Sequence, residues 1–203
     1  MVQIKHIVFD IGKVLIHYDP HLAYIERLPD LETRTHFLTK ICSNDWNLEQ
    51  DRGRPWAEAE AVLIAQYPEY EDLIRAFRPN WHKMVSHAYD DSVAILDGLL
   101  AQDYDVTFLT NFAADTFVEA QQRFPFLTKG RGVTVSGLIG LLKPDPAIYE
   151  HHTKSFDLEP EATLFIDDNG PNIIAAKAYG WQGIQFSSSS ALQSELKSFG
   201  INL

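Results

Sequence analysis

Cysteine is almost absent from this chain. Cys42 is the only one in 203 residues, which excludes an intrachain disulfide and any zinc site built on several thiolates. Long apolar runs are missing as well. The start, Met1–Ile16, is apolar in places, but Asp10 and Lys13 interrupt it and no small-residue cleavage site follows. Neither a signal peptide nor a membrane span is expected, so the expectation is a cytoplasmic protein without a membrane partner. Positive charge is scarce: 17 Lys and Arg against 28 Asp and Glu give a formal net charge of −11. That balance repels a phosphate backbone and argues against a nucleic-acid partner, and an anionic small substrate would need locally placed cations. No internal repeat is visible. The run Ser187–Ser190 is the one low-complexity stretch, read as a solvated loop.

What the chain does have is an alternation of strand-like and helix-like segments. Ile4–Phe9 (IKHIVF) is β-branched and aromatic and stops at Asp10-Ile11-Gly12. Val106–Leu109 followed by Thr110-Asn111, and Thr163–Ile166 followed by Asp167-Asp168, repeat the same design of an apolar run closed by polar residues. Helical patterns lie between and after them at Asp91–Gln102, Ala113–Phe124, Ala147–Ser155 opened by Pro146, and Asn172–Tyr179 stopped by Gly180. Such alternation implies an α/β fold whose parallel sheet is covered on both faces, with polar strand ends converging at its carboxyl edge. From about Tyr18 to His87 the strand signal vanishes and apolar residues recur at helical spacing, as in Trp56–Tyr67 and Tyr70–Phe77. The division expected is a core of residues 1–17 and 88–203 with a helical cap, 18–87, inserted after the first strand and lying over the strand ends.

The polar strand ends suit phosphoryl chemistry. A carboxylate attacks phosphorus only if it is ionised, rigid and shielded from the substrate's charge, as Asp10 would be beside a metal. Asp167-Asp168 offers hard oxygen ligands for Mg²⁺, Thr110-Asn111 a hydroxyl and an amide, and Lys143 a positive charge. Each has a blander reading in isolation, as a turn former, a helix cap or a loop lysine.

Four segments together resemble the haloacid dehalogenase-like hydrolases: Phe9-Asp10-Ile11-Gly12-Lys13-Val14-Leu15, Leu109-Thr110-Asn111, Leu142-Lys143-Pro144-Asp145-Pro146-Ala147-Ile148-Tyr149, and Phe165-Ile166-Asp167-Asp168-Asn169-Gly170-Pro171-Asn172. The chain looks most like the branch with small helical caps that includes sugar-phosphate phosphatases and the phosphatase domain of soluble epoxide hydrolases. The resemblance implies a three-layer Rossmann-like core plus cap, and a Mg²⁺-dependent phosphatase acting on a small phosphorylated metabolite such as a sugar phosphate. It further implies that Asp10 forms an aspartyl-phosphate, that Thr110 and Asn111 orient the phosphoryl group, and that Lys143 neutralises charge. Asp10, Asp168 and the Gly12 carbonyl would hold Mg²⁺, with Asp167 assisting directly or through a water. A monomer or a homodimer is expected.

One departure from the family pattern stands at Gly12, where its phosphatases usually carry a second Asp as general acid and base. Losing that help predicts roughly a 10²–10⁴-fold slower enzyme or a substitute group, and His17, an imidazole near the same turn, is the substitute expected, ahead of Asp19. In the insertion, Trp46, Asp51, Arg52 and Arg54 are candidates to contact the leaving group. His151-His152 is read as a surface pair and His6 as structural. Two other functions compete: a metal-independent 2-haloacid dehalogenase, against which the Asp167-Asp168 pair argues because it needs a cation, and a catalytically weak metabolite-binding member, supported only by Gly12.

Overall fold

The structure is a computed structural model that describes residues 3–203. Five parallel strands form one sheet: β1 (His6–Phe9), β2 (Asp105–Thr110), β3 (Gly132–Val135), β4 (Thr163–Asp167) and β5 (Gln182–Gln185), in the spatial order β3-β2-β1-β4-β5. β1 is central, with Val8 opposite Thr107 on one side and Phe165 on the other. The order reverses at β1, and open parallel sheets place their sites outside the carboxyl ends at such a point.

Strand alternation builds the three layers. Ile7 and Phe9 of β1, Val106 and Phe108 of β2, and Leu164 and Ile166 of β4 face one side, where they pack with Leu96 and Leu99 of α6 (Asp90–Ala101), Phe117 of α7 (Ala114–Arg123) and Leu192 and Leu196 of α11 (Ser189–Ser198). Val8, Leu109 and Phe165 face the other side, against Ile148 and Tyr149 of α9 (Pro146–Ser155) and Ile173 and Ala176 of α10 (Gly170–Tyr179). Burying one such Phe contributes about 1.5–3 kcal/mol. α10 ends where Gly180 adopts φ 110°, a left-handed conformation that costs glycine little.

Between β1 and α6 the described chain has no ladder strand. It forms α1 (Leu31–His36), α2 (Asn44–Asp51), α3 (Trp56–Gln66), α4 (Glu71–Arg75) and α5 (Trp81–Met84), with a π-helical segment at Phe37–Ile41, a 3-10 turn at Pro68–Tyr70 and short loops between them. These helices share a separate apolar cluster, with Tyr24, Phe37, Ile74, Phe77 and Met84 buried together. Its two connections to the rest run side by side: His17 N–H donates to the His87 carbonyl at 2.9 Å, Asp19 N–H to Met84 at 2.9 Å, and Tyr89 N–H to Leu15 at 2.9 Å.

Three expectations need correction. β3 and β5, four residues each and containing Gly132 and Gly183, lie at the sheet edges and carry too little apolar sequence to be read as strands. Ser187–Ser190 is not simply a loop, because the Ser188 hydroxyl accepts from Ala191 N–H at 3.2 Å and caps α11, which Ser189 and Ser190 begin. His152 is fully buried rather than on the surface, its ring held between the hydroxyls of Thr107 (2.9 Å) and Thr134 (2.8 Å). His6 is structural as expected, with Nδ1 2.6 Å from Asp105. No helix among the described residues is long and apolar enough to cross a membrane.

Candidate active site

Because the strands are parallel, the residues closing β1, β2 and β4 meet at one edge. Asp10 follows β1 directly, and its N–H donates to the Ile166 carbonyl at 2.8 Å, so the backbone is still sheet-bound where the side chain projects. The Ile11 N–H donates to Asp10 Oδ1 at 2.7 Å and Lys143 Nζ lies 2.9 Å from the same oxygen. Oδ2 makes no hydrogen bond with the described residues and is the oxygen free to react. The loop that follows is wound tightly, with Lys13 in the left-handed region at φ 58° and its N–H bonded to the Ile16 carbonyl at 2.7 Å.

Lys143 is buried, and its ammonium has three acceptors: Asp10 Oδ1, Asp167 Oδ2 at 2.7 Å and the Leu109 carbonyl at 3.0 Å. Burial opposes its charge, but Asp10 and Asp167 overcome that and hold its pKa above the ordinary lysine value. Asp167 is in turn fixed by Asn172 Nδ2, at 3.1 and 3.0 Å from its two oxygens, and by Asn169 N–H at 2.7 Å. With both oxygens engaged, Asp167 anchors the lysine. Asn111 also lines the cavity, and its amide is engaged with Lys143: its Nδ2 donates to the Lys143 carbonyl (3.0 Å) and its Oδ1 accepts from Lys143 N–H (2.8 Å). Its amide therefore positions Lys143. Thr110 closes β2, buried but lining the cavity, and its hydroxyl makes no hydrogen bond with the described residues.

Asp10, Asp167 and Asp168 offer carboxylate oxygens within 4.8 Å of one another. Burial pushes the Asp10 carboxyl up to about 7, with Lys143 opposing and Asp167 adding to the rise. Asp168 is raised by burial and by Asp167, with Lys13 and Lys143 opposing. Three carboxylates around one buried ammonium leave surplus negative charge, which a hard divalent cation with oxygen ligands would offset. The donor set fits Mg²⁺. At Gly12 an added Cβ would meet nothing within 4 Å, so the backbone there opens onto free space.

A cavity of about 300 Å³ sits above this edge, lined on the core side by Asp10, Gly12, Thr110, Lys143 and Asp168. Its outer wall comes from the helical insertion, where Asn44, Asn47, Leu48 and Asp51 of α2 follow the i, i+3, i+4, i+7 spacing of one helix face. Trp46 and Arg52 fall on other faces and do not line the cavity. Trp46 Nε1 donates to the Ala59 carbonyl at 3.4 Å within the helical cluster, and Arg52 reaches Glu49 at 3.8 Å near solvent. Arg54 is spent on Gln50 Oε1 (2.7 Å) and the Trp46 carbonyl (3.1 Å). His17 is also outside: it stacks on His87 at 4.8 Å and bonds the Tyr89 hydroxyl at 3.0 Å, in the stem joining insertion and core. The cavity is completed by residues that sequence reasoning passed over, notably Tyr18, Trp56, Trp81 and Asn172. Only Asn172 carried a signal, since it ends the fourth motif.

A family profile described as haloacid dehalogenase-like hydrolase matches residues 34–186. The chain belongs to the haloacid dehalogenase-like hydrolase family. It is 29% identical over 202 residues to a sesquiterpene phosphatase of Aspergillus oryzae, covering 95% of each chain. It is 26% identical over 195 residues to a D-ribitol-5-phosphate phosphatase of Bacteroides thetaiotaomicron, covering 90% of this chain and 92% of that protein. In fold it is similar to a family enzyme of Bacteroides thetaiotaomicron solved in complex with magnesium and inorganic phosphate, with TM-score 0.71, 20% identity, and coverage of 93% of this chain and 98% of that one.

Proposed function

We propose that this family member is a Mg²⁺-dependent phosphatase that hydrolyses a small phosphorylated metabolite through an aspartyl-phosphate on Asp10, with residues 18–87 as the cap over the site. The observation that carries the reading is the buried Lys143 ammonium shared between Asp10 and Asp167, beside a third carboxylate at the same sheet edge. Asp10 attacks phosphorus with Oδ2, the oxygen not held by Ile11 and Lys143. Lys143 offsets charge on the nucleophile and on the phosphoryl oxygens, and the hydroxyl of Thr110, which lines the cavity, donates to one of them. Asp10, Asp168 and the Gly12 carbonyl would hold the metal. When bound, Mg²⁺ supplies positive charge opposite the transferring oxygens.

The leaving group is read from the outer wall. Tyr18, Trp56 and Trp81 offer apolar rings, Asn44 and Asn47 offer amides, and the lining cations Lys13 and Lys143 both belong to the core side. That lining suits the monoester of an uncharged alcohol, a sugar phosphate among them, and provides no cation for a second anionic group. Both named phosphatase relatives support the reaction class. The test is phosphate release from a panel of phosphorylated metabolites. Activity is expected with Mg²⁺, lost in EDTA and restored by added Mg²⁺, and Asp10→Asn should lower kcat on the order of 10⁴-fold or more. Metal-independent halide release from 2-haloacids would replace this reading with the dehalogenase one.

A further inference from the structure

The phosphatase reading leaves one proton without a carrier. An alkoxide is a poor leaving group unless a proton reaches it as the P–O bond breaks, and the attacking water must later lose one. Gly12 has no side chain to do either, and His17 is turned into the stem. Six ionisable side chains line the cavity: Asp10, Lys13, Tyr18, Asp51, Lys143 and Asp168. Asp10 is the nucleophile, Lys143 is saturated by three acceptors, and Asp168 with Asp10 faces the metal position. Lys13 lies on the core side beside Asp168, where it opposes the rise in that carboxyl's pKa. Tyr18 is held neutral far above its ordinary value by burial and by Asp51 and Asp19. Asp51 remains, the one ionisable side chain that α2 contributes to the outer wall.

We propose that Asp51 is the proton donor to the leaving alcohol and the later proton acceptor from water, doing from the cap what a second acid at position 12 does elsewhere in the family. The inference rests on the phosphatase reading. Its geometry rests on how firmly Asp51 is seated. Its carbonyl accepts from the Ser136 hydroxyl at 2.5 Å, and its Oδ2 accepts from Asn47 Nδ2 at 3.2 Å. An element of the insertion is thus tied to the core by the very residue that reaches the cavity. Asp51 makes no ion pair among the described residues, and the titratable group facing it is Tyr18. Burial accordingly pushes its carboxyl up to about 7, against the pull of the Ala113 N–H, so both protonation states are accessible near neutrality.

The steps balance. As Asp10 Oδ2 bonds to phosphorus and the ester P–O bond breaks, the Asp51 proton moves to the departing oxygen. As a water oxygen then bonds to phosphorus and the bond to Asp10 breaks, that water's proton returns to Asp51.

The experiment compares Asp51→Asn with the unaltered protein, both loaded with Mg²⁺, on an alkyl phosphate and on p-nitrophenyl phosphate, whose leaving group needs no proton. Asp51→Asn is expected to slow the alkyl ester roughly 10²–10⁴-fold. It should retain a burst of p-nitrophenol and then accumulate phosphorylated Asp10, because water activation is lost. Adding Gly12→Asp to Asp51→Asn should restore alkyl-ester turnover at least in part, since that position has room for a side chain. Equal losses in the first-turnover (burst) rate on both esters, as a merely structural Asp51 would give, or no loss on either, overturn the inference alone. If Asp51→Asn does not fold, the unaltered protein still decides. Its kcat on the alkyl ester should fall on the alkaline side of about pH 7 while the p-nitrophenol burst does not, and the same alkaline fall in both, or in neither, overturns it. Turnover of neither ester by the unaltered protein, with no phosphoryl group on Asp10, overturns the phosphatase reading and this inference together.

Discussion

At the scale of single residues, His152 is the side chain whose environment departs furthest from its expected one. Burial between Thr107 and Thr134 lowers its pKa from 6.5 to about 3, with His151 and Arg131 adding to the fall. The unfolded chain takes up this proton as pH drops through 6.5, and the folded chain does so only near 3. Stability from the neutral ring is therefore complete above pH 6.5 and lost progressively between 6.5 and 3, amounting to a few kcal/mol. Denaturant titrations at pH 7 and pH 4.5 should show a larger loss for the unaltered protein than for His152→Gln; equal losses would refute the assignment. Helical spacing sets His152 on the face of Ile148 and Tyr149, but the hydroxyls that hold its ring lie on β2 and β3, 45 and 18 residues away, where no local pattern shows them. That Asp10, Lys143 and Asp168 come together was legible because each stands in a short recognisable motif, Asp10 and Asp168 directly after β1 and β4 and Lys143 in the loop before α9. The bonds of the Asn111 amide were not legible for a related reason: its motif fixes where the residue stands, whereas the Lys143 backbone decides which way the amide is used.

At the scale of elements, the weight falls on the seam where α2 meets the short helix α8 (Ser136–Ile139) and the loop before α7. A Cβ on Gly137 would lie 2.7 Å from the Ala114 nitrogen and 2.8 Å from the Phe112 carbonyl oxygen, both backbone atoms that cannot rotate away. Gly53, at φ 107°, packs against the carbonyl of Gly137. Gly137→Ala is expected to destabilise by about 1–3 kcal/mol through overpacking, seen as a lower Tm, and to reduce turnover by lifting Asp51 from its seat. An unchanged Tm would mean that the seam yields easily. Helices with clear start and stop signals, such as α9 behind Pro146 and α10 before Gly180, fall within two residues of expectation. The phase of α2 was not legible. Its eight residues are polar on several sides, so the sequence pointed to Trp46 and to Arg52 just beyond its end, and only packing selects the face of Asn44, Asn47, Leu48 and Asp51.

At the scale of the whole molecule, the layered sheet was legible in outline because its three central strands are apolar, while the edge strands borrow their order from neighbours. The fit of insertion to core is a matter of side chains far apart in sequence. Arg78 pairs with Asp115 at 2.6 Å and Glu119 at 3.2 Å, and Trp56 Nε1 donates to Asp115 at 3.1 Å. Asp115 is about half exposed, with 48% of its side-chain surface accessible, so these pairs contribute only about 0–1 kcal/mol to stability. If residues 18–87 act as the proposed cap, these pairs bear on its closure. Arg78→Ala should leave Tm nearly unchanged yet raise KM several-fold, and high salt should raise KM in the unaltered protein more than in the variant. A KM insensitive to both would place closure elsewhere.

The stem has a consequence of its own. The chain leaves the sheet for the helical insertion and returns from it through two neighbouring, hydrogen-bonded segments, with Ile16 bridged to Ala88. On the proposed phosphatase reading, a segment whose entrance and exit adjoin has the form of a cassette, and exchanging it is expected to leave Asp10 and Lys143 in place. The chemistry of bond breaking and the choice of alcohol would thereby be open to independent evolutionary change, except at Asp51, the one point where the proposed proton path ties the exchangeable part to the fixed one.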